Sequence, residues 1–342
     1  MANKFRFQIA FAAAALVAVP AWCVTMVNGS GSTFAAPMYN AWLDAYKKIH
    51  PDVQISYQAI GSGGGIRQVL ESTVDFGASD GPMSEKQLRE YKDSHGFDML
   101  HLPTLMGAAV PAYNVPGIGE LNFTGEILAG IYLGRITKWN DPALHEVNPG
   151  VNLPSNGILV VHRSEGSGTS YVWSDYLSKM SDAWRAKVGK GTSLNWPIGL
   201  SARGNDGVAE LLQKTQYSLG YVELGFALQK HLEYGKVRNA AGVFVKADPT
   251  SVAAAATEAT RSLPDDFRIS ITNAPGKGAY PISSLSWLLV PAKIADAGKR
   301  QALVNFLKWA LTDGQNMSSG LVYARLPQNV VSKELIAISQ IQ

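Results

Sequence analysis

Three short loops rich in glycine, serine and threonine constrain this chain more than any other feature, because each runs directly into a segment with helical periodicity. The loops are residues 29–34, 61–65 and 164–170. Glycines let the backbone approach a ligand closely, and the first turn of a helix carries unpaired amide donors that attract negative charge. We therefore expect an anion-binding site if the three helix starts converge in the fold.

Strand-like runs alternate with helical patterns along the chain, which is typical of βαβ units and a largely parallel sheet. Residues 53–57 form a predicted strand before the second loop, and residues 74–80 form another that ends at Asp80. Residues 158–161 are continuously apolar and precede Arg163 and the third loop. The sequence therefore predicts an α/β fold in which the second and third loops each follow a strand.

Polar residues in and beside these loops are expected to line one crevice, because ligands of open α/β sheets bind beyond the carboxyl ends of the strands. The candidates are Thr33, Ser62, Asp80, Arg163, Ser167 and Thr169. Hydroxyl groups and the Arg163 guanidinium donate to anion oxygens, whereas a carboxylate accepts only from a ligand oxygen that still carries a proton. Phosphate retains a proton at neutral pH and sulfate does not, so Asp80 predicts selection of phosphate over sulfate.

The N-terminus has the pattern of a secretory signal peptide, which we place at residues 1–24. Lys4 and Arg6 precede the apolar run 9–19, and small residues follow it. The run is shorter than the roughly 20 residues that a membrane-spanning helix needs, so we predict a secreted protein rather than an anchored one. Lipid attachment at Cys23 is disfavoured, because Trp22 is larger than the residue expected before an acylated cysteine.

Charge and histidine placement exclude several other classes of function. The formal net charge is only +3, with basic and acidic residues mixed along the chain, so we expect no nucleic-acid partner. The six histidines lack metal-ligand spacing, and we expect neither a metal nor another cofactor. A mature chain of this length can form two domains, each with its own apolar core.

Six segments make the chain resemble the periplasmic phosphate-binding proteins of ABC-type phosphate uptake systems over nearly its full length. They are residues 29–37, 60–65, 74–80, 163–169, 204–207 and 220–223. The resemblance implies a two-lobed periplasmic solute-binding fold of type II. Each lobe would contain a mixed, largely parallel sheet flanked by helices, and a two-strand hinge would join them. Lobe I would comprise residues 25–107 and 287–342, and lobe II residues 108–286.

The resemblance also implies site residues by position, and it implies a receptor rather than an enzyme. The residues carried over are Thr33, Phe34, Ser62, Asp80, Arg163, Ser167, Gly168 and Thr169. Among them Asp80 would accept the ligand proton, and Arg163 would neutralise the ligand charge. The chain departs from the family at Ala35, Gly63 and Glu165, and Glu165 stands where a shorter aspartate often pairs with the arginine. The implied partners are inorganic phosphate and the permease and ATPase subunits of an importer, bound by a monomer.

Other functions stay open at the level of the residues. Residues 77–81 fit the Gly-x-Ser-x-Gly nucleophile elbow, which would make Ser79 the nucleophile of a secreted serine hydrolase with His162 as its base. A phosphate sensor or scavenger without a transporter would keep the same fold and ligand. A P-loop phosphotransferase is a weaker alternative than the hydrolase, because no Gly-x-x-x-x-Gly-Lys-Ser/Thr sequence occurs in the chain.

Overall fold

The computed structural model describes residues 24–342, so Cys23 and all of the predicted signal peptide except Val24 lie outside the described residues. No helix in this part of the chain is long and apolar enough to cross a membrane. The strands are β1 (Thr25–Gly31), β2 (Val53–Ala59), β3 (Phe76–Ser79), β4 (Met99–Asn114), β5 (Asn122–Phe123), β6 (Leu159–Arg163), β7 (Leu200–Ala202), β8 (Ser218–Glu223), β9 (Glu233–Tyr234), β10 (Lys236–Arg238), β11 (Phe244–Val245) and β12 (Ser283–Pro291).

Helices connect most of these strands and cover the sheet. They are α1 (Ala36–Ile49), α2 (Ser62–Leu70), α3 (Glu85–His95), α4 (Gly125–Tyr132), α5 (Pro142–Val147), α6 (Gly168–Met180), α7 (Asp182–Lys187), α8 (Gly204–Lys214), α9 (Leu224–Gln229), α10 (Pro249–Ala259), α11 (Ala297–Leu311) and α12 (Gln328–Ser339). Short 3₁₀ turns occupy Thr260–Ser262, Asp313–Met317 and Ser319–Leu321. The alternation of strands and helices confirms the predicted α/β class.

Within residues 24–342, the main sheet has the strand order β2-β1-β3-β12-β4-β8-β6-β7, and β9 also pairs with β4. Strand β1 runs parallel to β2 and β3, and β6 runs parallel to β7 and β8. Strand β12 is antiparallel to both β3 and β4. The sheet is therefore mixed, with a parallel section at each end, and each parallel section carries the strand ends that lead to the candidate loops.

The long strand β4 passes from one half of the sheet to the other. It pairs with β12 from Met99 to Ala108 and with β8 from Ala109 to Asn114. The amide of Ala109 donates to the carbonyl of Ile282 at 3.0 Å, just before β12 begins. We call the half with β1, β2, β3 and β12 lobe I, and the half with β6, β7 and β8 lobe II. The predicted boundaries at residues 107/108 and 286/287 stay a prediction.

The segment 263–272 also connects the lobes, outside the paired strands. The Arg268 Nη1 atom donates to Glu85 Oε1 of helix α3 in lobe I at 2.7 Å. A few residues later, the hydroxyls of Ser270 and Thr272 donate to Asp175 Oδ2 of helix α6 in lobe II, at 2.6 Å and 2.5 Å. The segment therefore contacts both lobes within five positions, and the sequence did not predict this connection.

Two of the glycine-rich segments are more regular than the sequence suggests. Gly29 and Gly31 belong to β1, where pairing with a strand on each side overrides the low strand propensity of glycine. Gly65 lies in the first turns of α2, and a Cβ atom there would come within 2.5 Å of the Gly31 Cα atom. The interpretation of these glycines as loop was wrong, because close backbone packing, rather than a turn, requires them.

Candidate anion-binding site

The N-terminal ends of helices α1 and α2 from lobe I meet those of α6 and α8 from lobe II at the cleft between the lobes. The amide of Gly63 in α2 donates to the carbonyl of Gly166, just before α6, at 2.9 Å. The Asn205 Nδ2 atom in the first turn of α8 donates to Thr33 Oγ1, just before α1, at 2.9 Å. Because each helix N-terminus carries positive partial charge, their convergence creates a strong preference for an anion.

Asp80 follows β3 and lies at the centre of this cleft, with only 1% of its surface exposed. Its Oδ1 atom accepts from the hydroxyls of Ser32 and Ser286 at 2.6 Å and 2.7 Å, and its Oδ2 atom lies 3.3 Å from Ser62 Oγ. Burial raises the pKa of Asp80 to about 6, although the serine hydrogen bonds and the charge of Arg163 act in the opposite direction. Asp80 is thus held in place by hydroxyl donors and buried next to the place where the helices meet.

Arg163 ends β6 and brings the cationic group to the opposite side of the cleft. Its Nη2 atom donates to Thr33 Oγ1 of lobe I at 3.0 Å, and its Nη1 atom donates to Thr169 Oγ1 of lobe II at 3.1 Å. Its Nε atom donates to Glu165 Oε1 at 3.0 Å, and Gly204 donates its amide to the same oxygen at 3.0 Å. Although Glu165 is longer than the aspartate often found at this position in the family, it still orients the Arg163 guanidinium. The Arg163 side chain is 1% exposed.

The ion pair changes the ionisation of Glu165. Partial burial opposes its charge, but the hydrogen bonds and charge of Arg163 outweigh this effect and lower the pKa of Glu165. The carboxylate of Glu165 is therefore ionised at neutral pH. Arg163 keeps two nitrogen atoms directed at the threonines on either side of the cleft.

The remaining candidates also lie at the cleft, with different local roles. Ser167 is the N-cap of α6, and its Oγ atom accepts from the Ser170 amide at 3.1 Å, which leaves its hydroxyl hydrogen to another partner. Phe34 packs its ring against Gly107, and its carbonyl accepts from the Tyr323 hydroxyl at 2.6 Å. The structure thus brings seven of the eight predicted residues to one cleft, whereas the Phe34 ring packs into lobe I and Phe34 adjoins the cleft only through its chain neighbour Thr33.

Three residues at the cleft were missed by the sequence reasoning. Ser32 and Ser286 bind Asp80, and Asn205 binds the threonines of both lobes. Ser32 and Asn205 lie inside segments that carry the family resemblance, so their positions could have identified them as residues of the site. Ser286 had no such signal, because it reaches Asp80 only through the pairing of β12 with β3.

Gly168 shows how closely the lobes approach. A Cβ atom on Gly168 would lie 2.2 Å from Asp80 Oδ2 and 2.4 Å from Ser62 Oγ, both of which belong to lobe I. These separations are far below van der Waals contact. The lobes are therefore closed on each other in this structure, and only glycine fits at the first position of α6 in the closed arrangement.

We expect the Gly168→Ala substitution to weaken ligand binding by about 1–3 kcal/mol, since the added methyl group obstructs closure. Thermal stability without ligand should change little, because the obstruction arises only between the lobes. Titration calorimetry with phosphate measures the effect. Gly207→Ala is the matched control, because a Cβ atom there would meet only ordinary contacts at 3.8 Å and beyond. Equal affinities for the two variants would contradict the expectation.

Ser79 does not have the surroundings of a hydrolase nucleophile. Its hydroxyl is fully buried, donates to the Gly81 carbonyl at 2.5 Å and accepts from the Gly81 amide at 3.2 Å. The next helix, α3, begins only at Glu85, whereas a nucleophile elbow exposes its serine on a sharp strand-to-helix turn. His162 instead stacks on Trp196, with a centroid distance of 4.9 Å. The hydrolase alternative is therefore not favoured.

Comparison with known proteins agrees with this geometry. The family model for the PBP superfamily domain matches residues 18–313. The phosphate-binding protein PstS of Xylella fastidiosa strain Temecula1 is 43% identical over 309 residues, which cover 90% of this chain and 83% of that protein. PstS of Pasteurella multocida is 40% identical over 309 residues, covering 90% and 88%.

A similar fold occurs in the solved structure of PfluDING, a high-affinity periplasmic phosphate-binding protein with bound phosphate. The TM-score is 0.74 at 21% identity, with 90% of this chain and 92% of that chain covered. The fold and the cleft thus define a two-lobed solute-binding protein of the PBP superfamily. Within that class, the chain belongs to the family of PstS phosphate-binding proteins. The predicted family resemblance and the predicted two-lobed fold are both confirmed.

Proposed function

We propose that this protein is a periplasmic receptor for inorganic phosphate, which it encloses between its lobes and delivers to the permease and ATPase subunits of an ABC importer. The relatives are named as phosphate-binding proteins, and this supports the assignment of the ligand. We assign ligand contact to Thr33, Phe34, Ser62, Asp80, Arg163, Ser167, Gly168 and Thr169. The protein acts as a monomer after removal of its signal peptide, and it is not an enzyme.

The observation that carries this proposal is the buried carboxylate of Asp80, which lies among hydrogen-bond donors at the meeting point of the helix N-termini. Helix N-termini and Arg163 favour an anion, whereas Asp80 repels one unless the anion brings a proton. A phosphate oxygen that carries a proton donates it to Asp80, and the remaining oxygens accept from the surrounding donors. Sulfate has no proton at neutral pH, so it would leave Asp80 unpaired and facing a like charge.

Closure follows from the division of the site between the lobes. Thr33, Ser62 and Asp80 lie on lobe I, whereas Arg163 and Thr169 lie on lobe II. A ligand shifts the protein toward the closed state only by its differential affinity for that state. Since neither lobe alone offers both the carboxylate and the guanidinium, phosphate binds the closed state more tightly and stabilises it.

Calorimetry with phosphate, arsenate and sulfate tests the proposed function. We expect one phosphate per chain, competition by arsenate because it has the same shape and retains a proton, and no measurable heat with sulfate. Tight sulfate binding, or the absence of phosphate binding, would overturn the proposal. Rescue of phosphate uptake in cells that lack their own receptor tests delivery to an importer and separates the receptor from a sensor or scavenger.

A further inference from the structure

The side chain of Asn205 bridges the two lobes at the candidate site. It is completely buried in the first turn of α8, where Gly204 has a φ of 73° that favours glycine. Its Nδ2 atom donates to Thr33 Oγ1 at 2.9 Å and to Thr169 Oγ1 at 3.1 Å. The two threonines belong to opposite lobes, so this carboxamide makes both bonds only when the cleft is closed.

The orientation of this carboxamide follows from its third partner. The backbone amide of Glu223 donates to Asn205 Oδ1 at 2.9 Å. Because a backbone amide only donates, the atom facing it must be the oxygen, and the NH₂ group must face the threonines. The Thr169 hydroxyl lies 3.4 Å from the same oxygen, which is longer than the bond from Glu223. Each of the two Nδ2 hydrogens therefore has one threonine oxygen as its acceptor.

The threonine hydroxyls then have only one direction left for their hydrogens. A hydroxyl has two acceptor lone pairs and one hydrogen. Thr33 Oγ1 accepts from Asn205 and from Arg163 Nη2, the latter at 3.0 Å, and Thr169 Oγ1 accepts from Asn205 and from Arg163 Nη1 at 3.1 Å. With both lone pairs occupied by groups that only donate, each hydroxyl is left with its hydrogen to donate. For Thr169 the acceptor within the cleft is Asn205 Oδ1 at a long 3.4 Å, so in an occupied cleft a ligand oxygen is the better acceptor for both hydroxyls.

We propose that Asn205 is a positioning residue that, together with Arg163, directs the hydroxyl hydrogens of Thr33 and Thr169 at phosphate oxygens that carry no proton. This proposal rests on the proposed function. It extends the selection of the ligand by its proton. Asp80 accepts a hydrogen bond from the protonated ligand oxygen, whereas Asn205 leaves the threonine hydroxyls, at what we call the donor-only end of the cleft, able only to donate. A second ligand proton at the donor-only end would face another hydrogen, so dibasic phosphate is preferred over monobasic phosphate.

The Asn205→Asp variant tests the direction of these threonine hydrogen bonds with a side chain of nearly the same shape. Its carboxylate accepts from the threonine hydroxyls instead of donating to them, so the threonines present lone pairs to the ligand. We expect phosphate affinity at neutral pH to fall on the order of 100-fold. The relative preference should also shift toward monobasic phosphate. The readout is calorimetry at pH values on either side of the point where the two phosphate forms are equally populated.

The other charged groups near the hydrogen bonds of Asn205 are the same in the wild type and in all variants. They are Asp80, Arg163, Glu165 and Glu223, and burial raises the pKa of Glu223 to about 8. Asn205→Ala retains all four and removes the donor without inverting it. It frees one lone pair on each threonine hydroxyl, so it should bind phosphate more weakly and move the pH profile part of the way toward that of the aspartate variant. The aspartate variant should change that profile most, whereas a purely structural role of Asn205 predicts an unchanged profile in both variants.

Asn239→Asp is the matched control, because Asn239 is also a buried asparagine of lobe II. Its Nδ2 atom donates to the carbonyls of Gly276, Lys277 and Ala279, outside the cleft. This variant should lose thermal stability while keeping the phosphate affinity and its pH profile. A change in affinity equal to that of Asn205→Asp would overturn the positioning role, since it would show that damage to lobe II suffices.

A double-mutant cycle decides the question if Asn205→Asp does not fold. Removal of the Thr33 hydroxyl by Thr33→Val should make the loss of Asn205 less costly, because part of the effect of Asn205 passes through that hydroxyl. Additive losses in Thr33→Val/Asn205→Ala would overturn the proposal, as would a wild-type pH profile in a folded Asn205→Asp. Absence of phosphate binding by the wild type would instead overturn the proposed function, so the two failures are distinguishable.

Discussion

Arg163→Ala is expected to weaken phosphate binding by about 2–5 kcal/mol, since it removes the buried cation that we assign to the ligand and leaves Glu165 without its partner. The guanidinium spans the cleft between Thr33 and Thr169, so its loss also removes a donor to each lobe. Titration calorimetry at one pH and ionic strength measures the change. Arg163→Lys should recover only part of the affinity, because an ammonium lacks the planar fork of donors.

Arg268→Ala is the control for the loss of an ion-paired arginine. Arg268 lies on the segment 263–272 that connects the lobes, and it pairs with Asp266 of that segment and with Glu85 of α3. Its side chain is also largely buried. We expect this variant to lower thermal stability and leave the phosphate affinity close to that of the wild type. An unchanged affinity in Arg163→Ala would remove Arg163 from the site.

Asp80→Asn is expected to shift the ratio of sulfate to phosphate affinity toward sulfate by on the order of 100-fold or more, because like charges in contact cost several kcal/mol. The amide keeps the size of the side chain but can also donate, so the ligand no longer needs a proton. Both anions should be titrated against both proteins under identical conditions. A ratio that stays at the wild-type value would contradict the proton-acceptor role of Asp80.

Asp175→Asn is the matched control for this selectivity change. Asp175 is also buried and accepts from two hydroxyls, those of Ser270 and Thr272, but it lies in the contact between α6 and the segment 263–272. Burial opposes its charge, yet Lys179 and Lys190 lower the pKa of Asp175 to about 2. Its substitution should lower stability at neutral pH and leave the sulfate to phosphate ratio unchanged.

The two aspartates should also differ in how they link stability to pH. The pKa of Asp80 is raised to about 6 in the folded protein. The contribution of its ionisation equilibrium to the free energy of unfolding is therefore complete below the ordinary pKa of about 4 and is lost as the pH rises through 6. Without ligand, Asp80→Asn should therefore melt at a higher temperature than the wild type above pH 6, with a gain that disappears in acid. The pH dependence from Asp175 has the opposite sign. Its contribution to the free energy of unfolding is present above about pH 4 and is lost as the pH falls through 2. Thermal melting of both variants across this range measures the effect.

Local patterns predicted a large part of the fold. Strand-like runs identified β3, which Asp80 follows, and β6, which ends at Arg163, and helical periodicity identified α1, α2 and α6. These elements are encoded by residues close together in the chain. The strand at Gly29 and Gly31 was missed, because its regular structure comes from partners on both sides of it in the sheet.

By itself, the sequence determined the chemistry that the cleft offers: helix starts rich in glycine and hydroxyl groups, one carboxylate and one guanidinium, together with the family resemblance. Only the tertiary structure decided which groups meet. Asp80 and Ser286 are 206 positions apart, and Asn205 and Thr33 are 172 apart. Such pairs form only where the lobes close and β12 joins β3. Helix caps and strand ends depend on neighbouring residues, whereas hydrogen bonds across a cleft depend on how distant segments pack.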